Sequence, residues 1–91
     1  MKPGRKLIEQ GADRCTDREI LAILLGTGGP GYSAEDIAAQ VLEQYGDLAR
    51  LMDLPLRELA AVKGLGPVKA IRVAAAYELA RRIVKHLEHH T

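Results

Sequence analysis

Lys63, Lys69 and Arg72 bracket a glycine–leucine–glycine turn, Gly64-Leu65-Gly66, and this combination can hold an anion. The two glycines permit backbone angles and close approaches that a side chain would block. Pro67 is tolerated at the first position of a helix, so a helix can restart directly after the turn. Its first backbone N–H groups, around Gly66 to Lys69, have no partner within the helix and lie at the positive end of its dipole. Such a helix start accepts a phosphate. Val68 and Lys69 stand in that first turn, and Arg72 lies three residues beyond Lys69 on roughly the same face. The candidate binding set is Lys63, Gly64, Leu65, Gly66, Val68, Lys69 and Arg72.

Other chemistries lack their residues. Cys15 is the only cysteine, which excludes an internal disulfide and a cysteine-based zinc cluster and fits a reducing compartment. His86, His89 and His90 fall in a C-terminal segment, residues 86–91, that reads as a tail or tag remnant, so they are not metal-ligand candidates. There is no Ser-His-Asp set, and no cofactor is implied. Gly26-Thr27-Gly28-Gly29-Pro30-Gly31 matches GxGxxG letter for letter, but a helical pattern precedes it where a dinucleotide site needs a strand. It also lacks the Gly-Lys-Ser/Thr ending of a P-loop.

Helices must position the turn. Leu56, Leu59 and Val62 recur every three residues on a short helix before it, and Ala70, Ala74 and Tyr77 give the helix after it an inward face. Leu65 is placed to tuck between the two. Upstream, Lys2 to Gln10 reads as a first helix with Leu7 and Ile8 inward and Gly11 as its stop. Thr16 and Glu19 form a capping box opening an apolar helix of Ile20, Leu21, Ile23, Leu24 and Leu25. Ser33 caps another, whose inner stripe is Ile37, Ala38, Val41, Leu42 and Tyr45, ended by Gly46. Asp47 to Met52 adds about one turn, with Leu48, Leu51 and Met52 inward. The order helix, glycine loop, helix thus occurs twice, from Asp17 to Tyr45 and from Leu56 to Lys85.

Composition agrees. Ninety-one residues make one small domain; 47% are apolar, yet the only aromatics are three tyrosines, so Leu, Ile, Val and Ala must fill the core. Period-two runs are missing, and the expected fold is all-α: a small orthogonal bundle of about five helices over residues 1–85. No apolar run reaches the roughly twenty residues of a membrane span, and the N-terminus has no signal-like pattern, which leaves the cytoplasm as the expected location. The net charge of +1 hides an asymmetry. Residues 16–53 hold two basic and seven acidic residues, whereas residues 54–91 hold seven basic and three acidic, so a polyanion would be steered toward the glycine turn.

The stretch LRELAAVKGLGPVKAIRV, Leu56 to Val73, resembles the helix-hairpin-helix motif. Taken with GADRCTDREILAILLGTG, Gly11 to Gly28, at this distance before it, the chain up to about Ile83 is similar to the N-terminal domain of RadC-family proteins, bacterial proteins labelled DNA repair. The resemblance implies a tandem helix-hairpin-helix (SAM-like) architecture and sequence-independent DNA binding through backbone phosphates. The hairpin's role would fall on Lys63, Gly64, Leu65, Gly66 and Lys69. It also implies that a C-terminal MPN/JAMM-type metal hydrolase domain normally follows. No His-x-His with a downstream Asp occurs here, so none of that domain's metal or peptidase residues carries over. One departure concerns the first loop, where relatives often carry basic residues and this chain has Gly29-Pro30-Gly31-Tyr32.

Three functions compete. DNA binding without chemistry, by a monomer, predicts weak affinity and a shallow salt slope, since only two or three phosphates would be neutralised. A protein-docking or oligomerisation module, suggested by the acidic first half, predicts an exposed apolar patch away from Gly64 to Gly66. Glycosylase chemistry of the helix-hairpin-helix type needs a lysine just inside the second helix and an aspartate further on. Val68 occupies the first place, no Asp follows Asp53, and catalysis is not expected.

Overall fold

Every helix that the sequence caps begins at its cap. In the computed structural model, which describes residues 1–90, α1 spans Pro3–Gln10 and α2 spans Asp17–Leu25. They are separated by Gly11, at φ +95°, and a single 3-10 turn, Ala12–Arg14. α2 opens with the Thr16–Glu19 capping box: the Glu19 N–H donates to Thr16 Oγ1 (3.2 Å) and the Thr16 N–H donates to Glu19 Oε1 (3.0 Å). α3, Ala34–Tyr45, repeats the device with Ser33 and Asp36. α4, Leu48–Leu51, starts on an Asp47 cap; α5 spans Leu56–Ala60 and α6 spans Gly66–His90.

The fold is all-α, with six helices rather than about five, because α4 and α5 are separate single turns. α2 packs on α3 and α5 on α6, so the two helix–loop–helix units are each internally packed, and α2 also contacts α6. Their shared core holds Leu21 and Leu25 from α2, Ile37, Ala38 and Val41 from α3, Leu51 and Leu59, and Ala70 and Val73 from α6. Leu65 joins it at 4% exposure, tucked in as the turn required. The Tyr77 hydroxyl donates to the Leu48 carbonyl (2.5 Å) and the Arg81 guanidinium to the Met52 carbonyl, fastening α6 to the α4 region.

Three expected inward residues lie elsewhere. Ile8 is 82% exposed while Leu7 is half-buried. Neighbours on a helix point about 100° apart, and α1 turns only one narrow face to α2. Leu56, 49% exposed, is the first residue of α5; helical side chains lean toward the N-terminus, so it overhangs the helix end instead of facing α6. Met52 is half-buried, just past the end of α4. α6 continues unbroken through residues 86–90, the segment read as a tail, and Thr91 lies outside the described residues.

Candidate nucleic-acid interface

The turn between α5 and α6 is built from two left-handed glycines with different surroundings. Gly64 has φ +88° and Gly66 φ +67°. A Cβ on Gly64 would stand 3.0 Å from Ile37 Cγ1 and 3.2 Å from the Tyr32 ring, so α3 and the first loop press against this glycine. A Cβ on Gly66 would meet nothing within 4 Å, so the mouth of α6 opens to solvent. The Leu65 N–H donates to the Val62 carbonyl (3.0 Å), closing the turn, and no acidic residue stands in the first turn of α6.

The cations sit around this mouth in three ways. Lys69 Nζ reaches back to the Gly64 carbonyl (3.4 Å), which holds the ammonium over the turn. Lys63 is exposed and lines a small cleft with Tyr32, Asp36, Ile37 and Gln40. Arg72 points to the other hairpin: its Nη1 donates to the Leu25 carbonyl (3.4 Å) at the C-terminus of α2, where a cation suits the dipole. Val68, 65% exposed, flanks the mouth on the outside. Lys63, Gly64, Gly66, Val68 and Lys69 are therefore grouped at one opening, Leu65 supports them from the core, and Arg72 bridges the two units.

Two residues beside the mouth carried no sequence signal of their own. Tyr32 closes a tight turn in which Gly29 and Tyr32 exchange backbone hydrogen bonds (3.0 and 3.2 Å) around Pro30 and Gly31, the latter at φ +82°. Proline followed by a left-handed glycine specifies a type II turn. Its ring lies over Gly29 and against Gly64, tying the two glycine loops together, and Gln40 completes the Lys63 cleft. Only the isolation of Tyr32 as the loop's one aromatic residue hinted at this.

The first loop differs electrostatically. Its following helix, α3, carries Glu35 and Asp36 in the first turn, and Ser33 caps it. The Asp36 carboxyl is held below its ordinary range chiefly by the Ser33 backbone N–H, so it stays charged. An anion meets two carboxylates there and none at α6. A larger open groove of about 620 Å³ runs past this end of the molecule, between Lys2–Arg5, Gly26–Gly28 and Ser33–Glu35. It is mostly apolar and separate from the α6 mouth. Among the described residues no three metal-ligating side chains cluster, and no helix is long and apolar enough to cross a membrane.

The UPF0758 N-terminal family model matches residues 1–71. The chain is 43% identical over 84 residues to a UPF0758 protein of Ralstonia nicotianae, covering 92% of this chain and 38% of the relative. It is 42% identical over 89 residues to one of Syntrophomonas wolfei, covering 97% and 38%. A third, from Desulforamulus reducens, is 40% identical over 83 residues, covering 91% and 37%. No solved structure matches. The chain thus spans somewhat over a third of the length of these relatives, and it belongs to the UPF0758 N-terminal domain family.

Proposed function

We propose that this domain binds DNA independently of sequence, gripping backbone phosphates at the start of α6, as the N-terminal module of a RadC-like DNA repair protein. The observation that carries the reading is the mouth at Gly66: open to solvent, without a carboxylate in its first turn, and flanked by Lys63 and Lys69. Phosphate contacts of this kind position a duplex but read no sequence. The first loop contributes little, because Glu35 and Asp36 repel the backbone there. The domain has no catalytic role and needs no cofactor. It acts in the cytoplasm, and in the longer protein an MPN/JAMM-type domain follows it.

Fluorescence anisotropy with a labelled duplex tests this. Binding is micromolar or weaker, with a log–log salt slope of roughly −2 to −3 for two or three neutralised phosphates. Lys69→Glu weakens it on every sequence and lowers the slope by about 1. Absence of binding at low salt, or indifference to Lys69→Glu, overturns the reading. A docking or oligomerisation role without nucleic acid is favoured by one observation, the exposed apolar ridge of α6. Self-association of the chain combined with failure to bind DNA would select it.

A further inference from the structure

α6 is longer than its domain requires. Its inward residues Ala70, Val73 and Tyr77 pack on the body, and its last itemisable tie is the Arg81–Met52 bond; residues 81–89 are all exposed. At 1.5 Å per residue that stretch projects about 13 Å. A helix end without tertiary packing is marginal in water, so a solvated extension should be polar all round. This one is not. Ile71 (56% exposed), Ala75, Leu79 (64%) and Ile83 (55%) follow one another every four residues, with Val84 beside them. Residues four apart share a face, so these form one continuous apolar ridge turned away from the core.

The family match ends at residue 71, where this ridge begins, and the chain covers about 38% of the Ralstonia and Syntrophomonas relatives. The ridge therefore lies at the border between the N-terminal domain and the larger part of those proteins. We propose that the ridge Ile71–Ala75–Leu79–Ile83 is the seat on which the part of the longer UPF0758 protein following this domain packs, making α6 a shared structural helix. The seat faces away from the core that supports the Gly66 mouth, and the proposal stands whether or not that mouth binds DNA.

The test compares the 91-residue chain with the full-length Syntrophomonas wolfei protein. Hydrogen exchange of the amides matching residues 71–85 slows at least tenfold in the full-length protein relative to the short chain. Glu in place of the two residues aligned with Leu79 and Ile83 returns exchange to the short-chain rate, while circular dichroism shows the helix retained. In the short chain, Leu79→Glu with Ile83→Glu leaves the fold and DNA affinity unchanged, because both side chains are exposed. Equal exchange in the two proteins overturns the proposal. So does sedimentation showing that the short chain dimerises and that the double variant is monomeric, which would make a second copy the occupant.

Discussion

The two glycines of the α5–α6 turn separate what a residue does for the fold from what it does for a ligand. Both have positive φ, which costs an L-residue roughly 1–2 kcal/mol. Gly66→Ala adds its methyl to open space, so only that conformational cost is expected, together with a loss of DNA affinity out of proportion to it, because the methyl intrudes where a phosphate must approach. Gly64→Ala presses a methyl against Ile37 and Tyr32 and pays a further overpacking cost of about 1–3 kcal/mol. Urea denaturation of the two variants, paired with anisotropy below the transition, checks the ordering. Equal destabilisation would refute the difference in surroundings. The mouth itself was legible in the sequence, since Gly-x-Gly-Pro with nearby lysines specifies it locally. The neighbour of Gly64 was not, because Tyr32 stands 32 residues away and no local pattern relates the two positions. Arg72 shows the same limit: helical spacing gives its face, whereas the Leu25 carbonyl it meets belongs to another unit.

At the scale of elements, the ends of α2 and α3 were readable because capping is local chemistry, satisfied within four residues. What the sequence did not disclose was that Glu19 serves two elements at once. Besides closing the Thr16 box it accepts from Lys6 Nζ at 2.8 Å, clamping α1 to α2. The Lys6 ammonium, then the Thr16 N–H, hold the Glu19 carboxyl down to about 2, from an ordinary 4.5. A carboxyl with a depressed folded pKa contributes stability that is fully present above its unfolded value and disappears as the pH falls toward the folded one. The domain should therefore lose thermal stability progressively between about pH 5 and pH 2, and Glu19→Gln should be less stable at pH 7 and show a flatter acid limb. Thermal melts followed by circular dichroism over that range decide it. If wild type and variant stay parallel throughout, the clamp contributes nothing. Short helices were the harder reading: Leu56 and Ile8 carry the right residue type, but a helix of five or eight residues leaves its terminal positions beyond the surface it packs on.

For the whole molecule, one core joins both helix–loop–helix units, and its outer limit along α6 falls between Tyr77 and Arg81. That limit makes a sharp expectation about truncation. Stopping the chain after Ile83 removes only residues that are exposed wherever their side chains are described, so the cost stays within about 0.5 kcal/mol, as for surface changes generally. For a domain of this size that is a melting shift of no more than about 2–4 °C. Stopping after Ala76 removes Tyr77 from the core edge together with both bonds that fasten α6 to Leu48 and Met52. The hydroxyl's carbonyl partner is then left to water, part of the surface over Leu48 and Leu51 opens, and a loss of several kcal/mol is expected, enough to unfold much of a domain with the usual 5–15 kcal/mol margin. Calorimetry of the two truncations distinguishes a folding unit that ends near Arg81 from one that needs all of α6. A large loss on removing residues 84–91 alone would mean that the projecting end of α6 supports its own domain, and the apolar ridge would then need no other occupant.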